Sequence, residues 1–227
     1  GIRDVAVGLV GSDMCIRDRL RPARTVGGDF YYFEQADEKL HFIVGDVSDK
    51  GVPAALFMAK TVTLYTRALR DKLPPGQTFT MMNDILAENN DACMFVTALC
   101  GSIDLKTGSA VMSNAGHMDP IMHDSGNTRG HEIKGAIALG LMDAVEYPDV
   151  EFQLGHNTSL IMYTDGISEA HDADNRQYTD DRLIDLITNI GTSNSEETGR
   201  KIIDSVYSFA GDAEQFDDIT LFIIRYQ

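Results

Sequence analysis

Tryptophan is missing, cysteine occurs three times, and positive charge is scarce: the 227-residue chain carries 19 Lys and Arg against 35 Asp and Glu, a formal charge of -16. That shortage of cations excludes binding of nucleic acid or of an anionic membrane through a general electrostatic field. It suits the binding of cations, because clustered carboxylates repel one another unless metal ions neutralise them. Cys15, Cys93 and Cys100 show no CxxC spacing and leave an odd thiol whatever they pair with, so a reducing cytoplasm is the expected setting. No apolar run approaches about 18 residues, and the chain does not open on a basic segment followed by an apolar stretch, so neither a membrane span nor a signal peptide is expected. Also absent are a GxSxG elbow, a GxxxxGK[ST] loop, HExxH, GxGxxG after a strand and a calcium-type D-x-[DN]-x-[DN]-G loop, which removes the common nucleophile, nucleotide and zinc schemes.

What remains is a 43% hydrophobic chain, enough for a sizeable core, with no linker tract and no internal repeat. Residues 1–20 are set apart. The apolar run Val5–Val10 leads into Met14-Cys15-Ile16-Arg17-Asp18-Arg19, which shows neither helical nor strand periodicity. That hexapeptide back-translates to a transposon end used in preparing sequencing libraries, so the segment is expected to be partly artefactual, with one domain of α+β type over 21–227.

The stretch that organises this domain is Leu40-His41-Phe42-Ile43-Val44-Gly45-Asp46-Val47-Ser48-Asp49-Lys50-Gly51. An apolar strand ending in Gly-Asp aims a carboxylate out of the strand end, where backbone can approach an ion closely. Taken alone, Asp46 reads first as a turn residue or helix cap and only second as a ligand. Upstream, Gly27-Gly28-Asp29 is a double-Gly turn feeding an aromatic strand, and Gln35–Lys39 reads as a hairpin that makes the two strands antiparallel neighbours. Register decides whether Asp29 and Asp46 meet.

Pro53 opens a helix running to Arg70, stopped by Pro74-Pro75-Gly76, with Ala55, Met58, Val62, Tyr65 and Leu69 as its core stripe. A second helix is expected at 78–88. Period two then places strands at 94–104, 109–114 and 120–123, read as an antiparallel meander. Asn114-Ala115-Gly116-His117 is a tight corner, not a metal site, since no second ligand sits at the required spacing. Leu160-Ile161-Met162-Tyr163-Thr164-Asp165-Gly166 repeats the strand-Asp-Gly pattern. Helices follow at 180–190 and 195–209, the latter with Ser195 as N-cap, and Phe216-Asp217-Asp218 leads into a final strand. Asp29, Asp46, Asp165 and Asp217 thus arise from separate elements, and hard divalent cations favour such oxygen donors.

Five blocks carry a family resemblance: Val26-Gly27-Gly28-Asp29-Phe30-Tyr31; Gly45-Asp46-Val47-Ser48-Asp49-Lys50-Gly51-Val52-Pro53-Ala54-Ala55-Leu56-Phe57-Met58; Asn114-Ala115-Gly116-His117; Tyr163-Thr164-Asp165-Gly166-Ile167-Ser168-Glu169-Ala170; and Asp217-Asp218-Ile219-Thr220. In this order they closely resemble the SpoIIE/RsbU branch of the metal-dependent (type 2C) bacterial serine/threonine phosphatases. The resemblance implies an α+β fold, an αββα four-layer sandwich whose two central antiparallel sheets are flanked by helix pairs. It implies two Mn2+ or Mg2+ ions, with Asp46 bridging them and activating water, and the Val47 carbonyl on the second ion. Asp165 and Asp217 would hold the first ion, with Asp218 as substitute if the acidic pair is read one residue on, and Asp29 would serve the second. Gly45 and Gly166 would let backbone pass close to the metals.

The implied partner is a phosphorylated STAS-domain anti-anti-sigma protein in a partner-switching pathway. Relatives often carry a sensory or receiver domain upstream, and a homodimer is compatible with the pattern. Two other readings stay open: a catalytically silent STAS-binding module and a small-molecule phosphomonoesterase. The sequence departs from the branch at Asp49, where Gly is usual, and at Tyr178-Thr179, where Phe-Gly is common. Ser48 stands where eukaryotic relatives carry a His taken as general acid, leaving that acid unassigned. Arg24 is near the site in sequence, but a role in binding phosphate is not assigned to it.

Overall fold

The computed structural model describes residues 14–21, 23, 27–124, 126–191 and 194–227; Val5–Val10, Arg24 and Val26 lie outside the described residues. Among those described are ten strands and five helices, divided between two compact units. The α+β class expected from the sequence is therefore the one observed, with two antiparallel five-stranded sheets.

The first unit comprises 1–23, 119–131 and 154–227. Its sheet has the order β1-β10-β9-β6-β7, built from β1 (Met14–Arg21), β6 (Ile121–Asp124), β7 (Asn127–Gly130), β9 (Ser159–Tyr163) and β10 (Ile219–Tyr226). All five residues of β9 are buried, as suits a strand near the middle of a sheet. The short α3 (Asp165–Ser168) follows β9, then α4 (Asp180–Ile190) and α5 (Ser195–Ala210), which packs on β1 and β10. The N-cap of α5 is Asn194, one residue before the expected Ser195. Its side chain accepts a hydrogen bond from the Glu197 amide (2.8 Å), whereas Ser195 is buried and turns its hydroxyl to the Cys15 sulfur (2.9 Å).

The hexapeptide Met14–Arg19 is not irregular, as its sequence suggests, but forms most of β1, paired antiparallel with β10 from Met14↔Tyr226 to Arg21↔Ile219. Strand pairing is made by backbone groups, so an edge strand accepts almost any sequence whose alternation fits. Met14 and Ile16 supply that alternation on the buried side; Asp18, the next residue on that side, is also buried.

The second unit comprises 24–118 and 132–153. Its sheet has the order β2-β3-β4-β5-β8, from β2 (Phe30–Ala36), β3 (Lys39–Val47), β4 (Val96–Asp104), β5 (Ser109–Ala115) and β8 (Val150–Gln153). The β2–β3 hairpin forms as expected. On one face lie α1 (Val52–Arg70) and α2 (Pro75–Ala87), closing a core that includes Phe30, Ile43, Tyr65, Phe79, Met82 and Leu86. The buried stripe of α1 runs through Ala54, Thr61, Tyr65 and Ala68, so Ala54 replaces the expected Ala55, while Met58, Val62 and Leu69 pack beside it partly buried. Pro75 and Gly76 do not merely stop α1. They form the first turn of α2, where Pro lacks only an amide that would go unused. Gly76 is needed there because a side chain would strike the Tyr147 carbonyl.

The expected three-strand meander breaks after its second strand. β4 and β5 pair, but β6 pairs with β7 and β9 in the other sheet. The chain leaves β5 through Gly116, whose φ of 67° only glycine adopts readily, and Asn114 clamps the exit by bonding both the amide and the carbonyl of His117 (2.8 and 3.0 Å). The three cysteines are free thiols. Among the described residues no helix is long and apolar enough to cross a membrane.

Thr179 takes φ 73° and ψ 152°, a region almost restricted to glycine and costly for a β-branched residue. This is the position where Gly is common in the branch the sequence resembles. Replacing Thr179 with Gly removes about 1 kcal/mol or more of strain, offset in part by the freer unfolded chain. The expected outcome is a melting temperature roughly 2 °C or more higher, read by calorimetry; a lower one contradicts the strain.

Candidate metal centre

In the second unit the site begins with register. Phe30 lies opposite Gly45, which sets Asp29 beside Asp46 where the ladder ends. Asp29 is 5% exposed and Asp46 half-buried. Gly28 fits closely here: a Cβ on it would lie 2.7 Å from the Val47 carbonyl oxygen and 3.0 Å from Asp46 Oδ1. Any side chain at position 28 would cover the two oxygens that the resemblance makes ligands. At Gly45 a Cβ would meet the Thr97 carbonyl (2.6 Å) and the Phe30 ring (2.9 Å). Its absence lets β3 lie flat between its neighbours.

The turn after Asp46 is pinned to β4. The Ser48 amide donates to the Phe95 carbonyl (2.9 Å), and the Ser48 hydroxyl accepts from the Phe95 amide (2.8 Å). Ser48 is therefore a loop anchor. Asp49, the other departure from the branch, has φ 76°, the left-handed region that glycine enters freely and Asp tolerates better than most residues. Its carboxylate accepts from the Lys50 amide (2.8 Å). Gly51, at φ 83°, then turns the chain into α1.

Thr97 stands opposite Asp46 on β4, and its hydroxyl meets His117 Nδ1 at 3.0 Å. His117 is thus the structural corner expected, held by Asn114 on one side and Thr97 on the other. Sequence reasoning missed Thr97, which carries no motif and becomes visible only through the β3–β4 register.

In the first unit Asp165 starts α3 at the end of β9, and Asp217-Asp218 precede β10, the strand paired with β9. Gly166 brings these segments together: a Cβ there would overlap the Asp218 carbonyl. The Thr164 amide donates to the Thr220 carbonyl (3.1 Å), and the Thr164 hydroxyl accepts from the Thr220 amide (3.0 Å). The two members of the acidic pair differ. Asp218 is 7% exposed, with Oδ1 accepting from the Ala23 amide (2.7 Å). Asp217 is half-buried, accepts from the Asp218 amide (2.9 Å), and borders an open cleft with Gly166, His171 and Phe216. Arg21 borders the same cleft, its guanidinium 4.6 Å from the centre of the Tyr207 ring.

The expected ligands are therefore divided: Asp29, Asp46 and the Val47 carbonyl belong to one unit, and Asp165, Asp217 and Asp218 to the other. Among the described residues no group of three or more His, Cys, Asp or Glu side chains is arranged to hold a metal ion. The donor chemistry of these residues, carboxylate oxygens with one backbone carbonyl, is the kind that Mg2+ or Mn2+ favours, and a side chain at position 28 would crowd Asp46 Oδ1 and Val47 O.

The chain resembles two curated bacterial proteins. It is 24% identical over 205 residues to phosphoserine phosphatase RsbU of Bacillus subtilis, covering 90% of this chain and 61% of that protein. It is 29% identical over 233 residues to protein IcfG of Synechocystis, covering 89% of this chain and 36% of that one. The chain thus spans less than two thirds of either relative. Among solved structures it matches the SiaA-PP2C domain of Pseudomonas aeruginosa (TM-score 0.83, 21% identity, 93% of this chain and 86% of that one). It also matches RsbX in complex with magnesium (TM-score 0.71, 14% identity, 96% and 98%). These likenesses show the fold, the α+β fold of PP2C phosphatase domains. The Stage II sporulation protein E (SpoIIE) family matches residues 36–227, and on a match spanning most of its length the chain belongs to that family.

Proposed function

We propose that the chain is a metal-dependent protein serine/threonine phosphatase that hydrolyses phosphoserine or phosphothreonine on a STAS-domain anti-anti-sigma partner in the cytoplasm. The observation that carries this reading is the β2–β3 register, which sets Asp29 beside Asp46, with Gly28 packed closely against the Asp46 carboxylate and the Val47 carbonyl. Family membership supports it, as do the phosphoserine phosphatase name of RsbU and the magnesium held by RsbX.

Asp29, Asp46 and the Val47 carbonyl would hold one of two Mg2+ or Mn2+ ions, and Asp165 and Asp217 the other, with Asp46 shared. Such ions, when bound, polarise a phosphoryl oxygen and lower the pKa of water. The protein's own contribution is positional. Gly28 and Gly166 let backbone carbonyls and carboxylates approach without intervening side chains. The Thr97–His117 contact fixes the strand opposite Asp46, and Asp218 fixes its segment through the Ala23 amide. Hydrolysis replaces the seryl P–O bond with one to a water oxygen, and the seryl oxygen leaves with a proton. Ser48, engaged with Phe95, is a weak acid, so a water molecule supplies that proton.

Asp46→Asn keeps the shape and removes the charge. Mn2+-dependent phosphate release from a phosphoserine STAS protein is expected to fall at least about a hundredfold with the melting temperature nearly unchanged; full turnover by the variant overturns the proposal. An unmutated chain that binds the STAS protein without releasing phosphate would be the silent module, and faster hydrolysis of small phosphomonoesters than of the phosphoprotein would make it a metabolite phosphatase. Gly28→Ala places a methyl against both donor oxygens. It is expected to weaken Mn2+ binding about 10- to 100-fold in a calorimetric titration, and unchanged affinity would remove these two oxygens from the ligand set.

A further inference from the structure

The helix-covered face of the β2-β3-β4-β5 sheet is open at its hairpin end, the opposite end of β3 from Asp46. A cross-strand row, Glu34, His41, Ser102 and Val111, each directly opposite the next, forms the floor of a cleft of about 480 Å³. The last turn of α1 and the corner into α2 line its other side.

Several groups in this cleft lack partners. Tyr65 is 2% exposed and lines the cleft, yet its hydroxyl has no hydrogen-bond partner among the described residues. A hydroxyl so placed is a donor available to a molecule bound in the cleft. Burial also holds the Tyr65 pKa well above its ordinary value, so the group stays a neutral donor. The half-buried His41 ring and the Ser102 hydroxyl likewise make no hydrogen bond among the described residues. At the rim, Lys72 is paired with Asp37 (2.6 Å) and Glu34 accepts from the Tyr32 hydroxyl (2.9 Å), whereas Lys39 and Arg70 make no ion pair there. A rim with more cations than anions is unusual on a chain of net charge -16. Leu69, Leu73 and Val111 supply an apolar wall.

We infer that this cleft is a binding site for a small organic anion with a flat apolar body. The acidic group sits between Arg70 and Lys39, the body rests on Leu69, Leu73 and Val111, and the Tyr65 hydroxyl donates to an acceptor on the ligand. Concave apolar sites with a few convergent polar groups are how proteins hold such molecules. The assignment does not depend on the phosphatase reading, because the cleft contains none of the candidate metal ligands.

The test is a titration of the 227-residue chain with 1-anilinonaphthalene-8-sulfonate, an aromatic body with one anionic group, followed by fluorescence and by amide chemical shifts. One saturable site is expected, with shifts concentrated at Leu69, Ser102 and Val111. Arg70→Glu, on the exposed rim, should weaken binding at least about tenfold, and Tyr65→Phe several-fold. Ser102→Trp, which fills the floor, should abolish binding. Melting temperatures confirm that each variant is folded. Absence of saturation, shifts elsewhere on the protein, or affinity unchanged in both Arg70→Glu and Ser102→Trp would overturn the assignment.

Discussion

Carboxylates brought together repel, and backbone carbonyls approach a shared point only where side chains do not intervene. Both constraints meet at two glycines, one in each unit. At Gly28 the missing Cβ leaves room beside the Val47 carbonyl and the Asp46 carboxylate, and at Gly166 it lets the chain press on the Asp218 carbonyl. The apolar strands β3 and β9 deliver these turns, because each ends its buried run at the Asp. Burial of the strands fixes the direction of the acids, and the glycines fix how closely backbone follows.

Much of this was legible beforehand. Strand-Asp-Gly at Asp46 and again at Asp165, the hairpin between β2 and β3, and α4 at its observed bounds all follow from periodicity and turn chemistry. The rest depended on contacts that a single chain does not display. Phe30↔Gly45 register is set by side chains packing on both faces. The N-cap of α5 falls on Asn194 because Ser195 is drawn inward to Cys15. The sheet to which β6 belongs is decided by where the Asn114 clamp releases the chain.

The two departures from the branch pattern share one physical cause. Asp49 and Thr179 both occupy positive φ, at 76° and 73°, the region that the glycine usual or common there in the resembled branch enters freely. Sequence could show the mismatch but not the dihedral that explains it. Asp49 recovers some of the cost through the Lys50 amide, whereas Thr179 is β-branched and has no side-chain cap bond. Strand β1 is the counterpart case: its hexapeptide reads as foreign, yet backbone pairing with β10 accommodates it.

The central claim is that Asp46 is the shared ligand of two ions. Crystals of the chain grown with Mn2+ and measured at the manganese absorption edge test it most directly. The account predicts two anomalous peaks, both contacted by the Asp46 carboxylate, with the Val47 carbonyl on one. A single peak, or two that leave Asp46 without metal contact, would contradict it.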